Sequence, residues 1–220
     1  MVYNDAVDDT RVRCFEMASF CHGTSLMTAN GEQPVDWIRS GDRVMTKDHG
    51  FQKVLWVART VIPANALKST PHLQPIMIAA NSVNAQTPAQ DLHLSPDHRV
   101  LLKSQQIELH FGTDEVLAPI KAFADGDAIA QVLPQHDVSY YHILFQKHEI
   151  VLADGLWVES FFPGEMALAS LSAKKQAQIH AALGAEIDTL QTARICLTPW
   201  EINLLVPSST AKALPNLSVA

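Results

Sequence analysis

The sequence has few cysteines, no long apolar run and no excess of positive charge. The three cysteines, Cys14, Cys21 and Cys196, stand at wide and uneven spacing, which is typical neither of a disulfide framework nor of a zinc-binding motif. No uninterrupted apolar run reaches about 18 residues, the length that a membrane-spanning helix needs. With 16 Lys and Arg against 23 Asp and Glu, the formal net charge of -7 does not provide the basic surface that nucleic acid requires.

The amino-terminal segment also lacks a secretion signal, because Met1–Asp9 is acidic and contains no apolar stretch. We therefore expect a cytoplasmic protein with reduced thiols, or one exported by a route that this chain does not encode. The 220 residues, 47% of them hydrophobic and 18% charged, are typical of one globular domain with appendages.

Short β-prone runs separated by turn residues dominate residues 19–163 and predict a mainly β fold. Val138–Phe145 and Glu149–Ala153 are predicted to form a hairpin across Gln146–Lys147. Residues 81–90 read as a polar loop. The other predicted strands are Thr24–Thr28, Arg43–Thr46, Lys53–Ile62, Pro75–Ala79, Asp91–Leu94 and Arg99–Lys103.

The two ends of the chain differ from this β-rich region. Residues 1–18 read as a short polar arm, and residues 164–220 as a carboxyl-terminal extension with one or two helices. Ser172–Leu183 has helical composition, with Ser172 as the cap and Gly184 as the stop signal. A second short helix is predicted over Trp200–Leu205.

Three polar segments stand out among the apolar strands. They are Ser-Phe-Cys-His-Gly-Thr at residues 19–24, Leu-Ser-Pro-Asp-His-Arg-Val-Leu-Leu at 94–102, and His-Glu-Ile-Val-Leu-Ala-Asp-Gly-Leu-Trp-Val at 148–158. In this order and separation they resemble the Hint domain of hedgehog proteins and inteins, and above all its bacterial stand-alone members. The resemblance covers roughly residues 19–160. It implies a Hint fold of short strands and hairpins that cleaves its own backbone.

The first segment departs from the family pattern, Cys-Phe-x-x-Gly-Thr, at its first position. Counting back from Gly23-Thr24 places Ser19 where the family has its nucleophilic cysteine. Ser19 is either natural or a substitution that traps the precursor. A serine hydroxyl is not ionised near neutral pH, so we expect a slow or trapped reaction. Cys21 could replace Ser19 only if the register shifted by two residues, which would misplace the attacking atom by about 7 Å.

The resemblance implies roles for four further residues. Ser95 would polarise the scissile amide, and His98 would protonate the leaving nitrogen, a task that suits a side chain with a pKa near neutrality. His148 would assist the second step or hold the acyl carbonyl. Asp154 belongs to the same motif, although Asp154-Gly155 is also an ordinary hairpin-turn signal. His142 lies one position away from an aspartate of the intein pattern, and we leave it outside the predicted site.

The implied substrate is the chain's own amino-terminal flank, cleaved at the peptide bond between Ala18 and Ser19, with water or a small nucleophile receiving the acyl group. We predict no cofactor, nucleic-acid or membrane partner. Splicing is disfavoured because the stretch Trp157–Phe161 lacks the terminal asparagine of inteins. Cholesterol transfer is disfavoured because Ala58 occupies the position of the hedgehog aspartate. Glu159 stands where the amino-terminal reaction requires no particular residue.

Two alternatives from other classes remain open. A catalytically silent Hint fold could serve as a scaffold or interaction module, which the serine at position 19 favours. An unrelated β-rich enzyme could use a zinc site built from His93, His98 and His148, although their spacing matches no zinc motif.

Overall fold

The chain folds into two β-sheets with short helices at their margins, in a computed structural model that describes residues 17–205. The strands are β1 (Phe20–Cys21), β2 (Ser25–Thr28), β3 (Gly31–Pro34), β4 (Arg43–Thr46), β5 (Gly50–Lys53), β6 (Trp56–Ile62), β7 (Ile76–Ile78), β8 (Leu92–Leu94), β9 (Arg99–Lys103), β10 (Glu115–Pro119), β11 (Ile129–Gln131), β12 (Val138–Leu144), β13 (Ile150–Ala153), β14 (Leu156–Glu159) and β15 (Ile195–Cys196). The helices are α1 (Ala64–Ser69), α2 (Gln105–Phe111), α3 (Glu165–Ser170), α4 (Ala173–Leu183) and α5 (Pro199–Leu205). Short 3-10 turns lie at Val35–Trp37, Pro71–Leu73, Ile120–Phe123 and Gly184–Thr189.

The first sheet has the strand order β11-β7-β8-β1-β12-β6, and the second has the order β15-β10-β9-β14-β13-β2-β4-β5, with β3 paired to β2. The predicted mainly β fold is therefore confirmed. Most pairings are antiparallel; β10 and β15 run parallel. A large apolar cluster fills the space between the sheets and includes fully buried side chains such as Leu26, Leu94 and Val158.

The very short strand β1 lies in the middle of the first sheet, between β8 and β12. Its register pairs Phe20 with Leu94 on one side and with Tyr141 on the other. Both pairings are antiparallel, so the residue before Phe20 faces the residue after each partner. Ser19 is thereby brought level with Ser95 and with His142.

The predicted hairpin across Gln146–Lys147 is wrong. Strand β12 pairs with β1 and β6, whereas β13 pairs with β14, β2 and β4 in the other sheet. The residues between them are a crossover between sheets. Every residue of β12 is buried and both of its edges are already paired, which leaves no edge for β13.

The long predicted strand Lys53–Ile62 is also two strands in the structure. Strand β5 ends at Lys53 and β6 begins at Trp56, each in a different sheet. Val54 and Leu55 make the transition, with their N–H groups bonded to the carbonyls of Asp42 and Leu144. A continuous apolar run therefore indicated burial correctly but did not reveal the change of sheet.

The carboxyl-terminal helices are confirmed, and they pack into the rest of the fold. Ser172 accepts the backbone N–H of Lys175 as the amino-terminal cap of α4, and Gly184 follows the helix with φ of 59°. Ile179 and Leu183, one turn apart on α4, are buried in a second apolar cluster. Burial of each contributes about 1.5–3 kcal/mol. Helices α1, α2 and α3 were not predicted. No helix among residues 17–205 combines the length and apolar character that crossing a membrane requires.

Candidate functional site

Ser19 immediately precedes β1, and its hydroxyl faces a histidine of the neighbouring strand β12. The Oγ atom lies 2.9 Å from Nδ1 of His142 and 3.3 Å from the carbonyl oxygen of Met17. The same Nδ1 atom lies 3.3 Å from the carbonyl oxygen of Ala18, which belongs to the predicted scissile bond. Ser19 is almost fully buried. The sequence left His142 outside the site, and the structure makes it the direct partner of the predicted nucleophile.

Burial decides the charge of His142. Removal from water lowers the pKa of this imidazole to about 4, and the positive charge of Lys175 lowers it further, against a smaller opposing effect of the Ala18 carbonyl. His142 is therefore neutral near pH 7. A neutral imidazole has one unprotonated nitrogen that can accept a proton.

The side chains of Thr60 and Lys175 lie behind His142, on the side away from Ser19. Its Nε2 atom faces the hydroxyl of Thr60 at 3.4 Å, and Lys175 donates to the same hydroxyl over 3.1 Å. Lys175 also donates to the carbonyl of Arg59 over 3.1 Å. Thr60 belongs to β6, diagonal to His142 across the strand pair, whereas Lys175 belongs to α4. No local sequence signal connects these three residues.

Ser95 contacts the nitrogen of the predicted scissile bond. Its hydroxyl oxygen accepts the N–H of Ser19 over 3.1 Å and donates to the carbonyl of Met17 over 2.7 Å. The backbone N–H of Ser95 in turn donates to the carbonyl of Ser19 over 3.0 Å. Because donor and acceptor are both engaged, the hydroxyl of Ser95 bridges the residues on either side of Ala18.

His98 lies against the carbonyl of Ser19 rather than against its nitrogen. Nδ1 lies 3.0 Å from that carbonyl oxygen, and Nε2 lies 2.9 Å from the carbonyl oxygen of Glu159. The ring is fully buried and packs edge-on against Phe20, 4.8 Å between centroids. Burial lowers the pKa of His98, and the charge of Glu159 and the two carbonyls oppose that effect. A neutral ring can donate to only one of those carbonyls.

His148 lies one step further from Ser19. It contacts the carboxylate of Glu159 over 3.3 Å and the carbonyl of Ser160 over 3.2 Å through Nε2. Its Nδ1 atom accepts the N–H of Ala193 over 3.0 Å, so the contact with the Glu159 carboxylate is a hydrogen bond donated by Nε2. His148 is thus connected to His98 only through Glu159.

Glu159 is a fully buried carboxylate that pairs with the guanidinium of Arg99 and with the ring of His148. It accepts the backbone N–H of Arg99 over 2.8 Å and pairs with the guanidinium of Arg99 at 3.3 Å, besides its contact with His148. Burial acts to raise its pKa, yet the hydrogen bond from His148 and the charge of Arg99 leave the pKa below its ordinary value. Sequence reasoning gave Glu159 no task.

Asp154 lies outside this group of contacts. It forms the turn between β13 and β14, where Ala153 pairs with Leu156 and both Asp154 and Gly155 have positive φ. Its carboxylate accepts the N–H of Ser25 over 3.1 Å and a side-chain N–H of Gln90 over 3.2 Å. The hairpin-turn interpretation is confirmed. Burial raises the pKa of Asp154 to about 6.

Cys21 follows Ser19 by two residues and packs among apolar side chains beside the site, outside the contact between Ser19 and His142. Its side chain is buried in an apolar cluster with Ile62, Leu67 and Tyr140 among others, and burial raises the pKa of the thiol. A thiol in such surroundings is a poor nucleophile. Cys14 lies outside the described residues.

A small recess of about 20 Å³, with room for about one water molecule, lies beside Ser19. It is lined by Met17, Ser19, Thr60, Ile62, Leu73, Ser95, Pro96, Tyr140 and His142. Within residues 17–205, no three histidine, cysteine, aspartate or glutamate side chains converge as a metal site, and His93, His98 and His148 do not meet.

Comparison with known proteins places this site in a family. None of the curated proteins compared with the chain matches it. Among solved structures, a glutathione-linked, splice-inactive AceL NrdHF class 3 split intein aligns over 65% of this chain and 97% of its own at 12% identity and a TM-score of 0.44. A bacterial intein-like domain from Clostridium thermocellum aligns over 64% and 97% at 13% identity and a TM-score of 0.43.

The gp41-1 intein aligns over 65% of this chain and 97% of its own at 11% identity and a TM-score of 0.37. The sequence profile described as "Hint domain" matches residues 18–165, which is more than half of the 220 residues. The match begins one residue before Ser19 and includes Ser95, His98, His142, His148 and Asp154. The chain belongs to the Hint domain family.

Proposed function

We propose that the protein cleaves its own backbone between Ala18 and Ser19 through an amide-to-ester acyl shift. The observation that carries the proposal is the 2.9 Å contact between the Ser19 hydroxyl and Nδ1 of a buried, neutral His142. A nucleophile held beside a base is the arrangement that activates a serine.

In the first step, Oγ of Ser19 attacks the carbonyl carbon of Ala18 while His142 accepts the hydroxyl proton. The protonated Nδ1 then stands beside the oxygen of Ala18, 3.3 Å away, where negative charge develops. Burial makes such a donor more effective than it would be in water, because the local dielectric is low. His142 therefore serves both the attack and the oxyanion.

In the second step, the bond between the Ala18 carbonyl carbon and the Ser19 nitrogen breaks. The proton removed from Oγ ends on that nitrogen, so an amide becomes an ester plus a free amine with no external reactant. Ser95 is the group that contacts this nitrogen, at 3.1 Å. Protonation of the nitrogen by His98 stays a prediction, since His98 contacts the adjacent carbonyl instead.

Water or a small nucleophile then attacks the ester and releases the amino-terminal flank. The recess beside Ser19 has room for about one water molecule, which favours water as the acceptor. Splicing is not part of the proposal, because the stretch Trp157–Phe161 contains no asparagine to release a carboxyl-terminal flank. The family's cysteine would react faster than Ser19, since a thiol is partly ionised near neutral pH.

The test is the intact mass of the purified protein over time, with and without hydroxylamine, for the parent, Ser19→Cys and Ser19→Ala. We expect loss of residues 1–18, acceleration by hydroxylamine, faster cleavage of Ser19→Cys and none of Ser19→Ala. Intact mass for both the parent and Ser19→Cys under all conditions would contradict the proposal and favour a silent Hint fold that binds partners.

A further inference from the structure

Met17, two residues before Ser19, has a buried side chain, with 2% of its surface exposed. It belongs to a buried apolar cluster that joins two parts of the chain. One part is the β-rich region, with Trp56, Ala58, Leu144 and Phe161. The other is the segment of α3 and α4, with Ala167, Leu171, Ile179 and Leu183.

The side chain and backbone of Met17 are held by different partners. The hydroxyl of Ser170, at the end of α3, lies 3.3 Å from the Met17 sulfur. The carbonyl of Met17 accepts a hydrogen bond from the Ser95 hydroxyl over 2.7 Å and lies 3.3 Å from the hydroxyl oxygen of Ser19. Seating the side chain therefore fixes a carbonyl that contacts two residues of the reaction site.

The residues of α3 and α4 that surround Met17 lie beyond the segment that matches the family. The Hint profile ends at residue 165, whereas the second part of the cluster spans residues 167–183. The trajectory of the flank next to the scissile bond thus depends on a part of this chain that the family profile does not include.

We infer that α3 and α4 form a recognition pocket for the residue two positions before the scissile bond, and that the pocket selects a flexible apolar side chain there. The inference rests on the proposed function, because the flank is a substrate only if cleavage occurs. Methionine suits such a pocket since its unbranched thioether fits irregular apolar space. A glutamine side chain would have to bury its amide there, and the Ser170 hydroxyl can satisfy at most part of the amide's hydrogen-bonding groups.

The experiment compares cleavage of Met17→Leu, Met17→Gln and the parent at a temperature well below the melting temperature of every variant. Met17→Leu should cleave within about threefold of the parent, and Met17→Gln at least about tenfold more slowly. Met166→Gln is the matched control, because Met166 lies on α3 with 67% of its surface exposed. It should cleave at the parental rate. Parental cleavage by Met17→Gln would overturn the inference and leave the proposed function standing.

A second measurement is independent of cleavage. In uncleaved Ser19→Ala protein, limited oxidation by hydrogen peroxide followed by peptide mapping should convert Met17 to the sulfoxide at least about tenfold more slowly than Met166. Equal rates would show that the pocket is empty and would overturn the inference. If Met17 is protected from oxidation but neither the parent nor Ser19→Cys cleaves, the proposed function is overturned. The pocket would then only bind the flank.

Discussion

The hydroxyl of Ser19 and Nδ1 of His142 lie 2.9 Å apart, although 123 positions separate the two residues in the sequence. The pairing of β1 with β12 creates this contact, since Phe20 pairs with Tyr141. Phe161 packs edge-on against the His142 ring, 5.6 Å between centroids, and holds it from the side. The nucleophile and its base are thus positioned by sheet register, which gives them little freedom to separate.

His142→Ala should slow cleavage at Ala18–Ser19 by at least about a hundredfold, because proton transfer by a positioned base contributes about that much or more. The measurement is the cleaved fraction over time by intact mass, in the Ser19→Cys background if the parent is slow. His93→Ala is the control, since His93 lies on the adjacent strand β8 and contacts its own segment at Asp91. An unchanged rate for His142→Ala would remove it from the mechanism.

Lys175→Met should raise the pKa of His142 above about 4 while leaving it below the ordinary histidine value. Burial, the larger cause, is unaffected, whereas the repulsive charge behind Thr60 is removed. The histidine-ring NMR titration of the Ser19→Ala protein measures this directly. Lys174→Met, an equal change of charge on the exposed side of α4, is the control.

Lys175→Met should also alter the pH dependence of cleavage. A base acts only when it is unprotonated, so the parental rate should lose the contribution of His142 only as the pH falls through about 4. In Lys175→Met this loss should begin at a higher pH. If both the titration and the low-pH limb are identical in the two proteins, Lys175 has no influence on His142.

Glu159→Ala should destabilise the fold by about 3–5 kcal/mol, the typical effect of leaving a buried charge without its partner. Glu159 is fully buried, and its removal would leave Arg99 without its carboxylate partner and His148 without its acceptor on that carboxylate. Urea unfolding measures the free energy of unfolding. Glu165→Ala, at the exposed start of α3, should change that free energy little. A Glu159→Ala protein as stable as the parent would show that the buried carboxylate of Glu159 does not stabilise the fold.

Asp154 should make stability depend on pH in a defined window. Its pKa in the folded state is about 6, above the unfolded value, so its contribution is fully present below about pH 4 and is lost as the pH rises through 6. Relative to Asp154→Asn, the free energy of unfolding of the parent should fall by about 1–2 kcal/mol between pH 4 and 7.5, after allowance for solvent screening. Asparagine tolerates the positive φ of 46° at this position. A constant difference across that range would show that Asp154 does not titrate there.

Several elements could be predicted because their signals are local. Ser172 and Gly184 delimit α4, the alternating pattern of Arg43–Thr46 matches β4, and Asp154-Gly155 forms the two-residue turn that such a pair favours. The hairpin across Gln146–Lys147 failed because proximity in sequence says nothing about which edge is free. Helix α1 was missed since its residues carry no strong periodic pattern.

The sequence by itself determined the family, the mainly β architecture and the position of Ser19, since each follows from residues close together in the chain. Only the tertiary structure decided that His142 contacts Ser19, that Lys175 lies behind His142, that Glu159 contacts both Arg99 and His148, and that Met17 packs in a cluster with α3 and α4. These contacts depend on strand register and helix packing, which are set by burial of the whole apolar core rather than by any short segment.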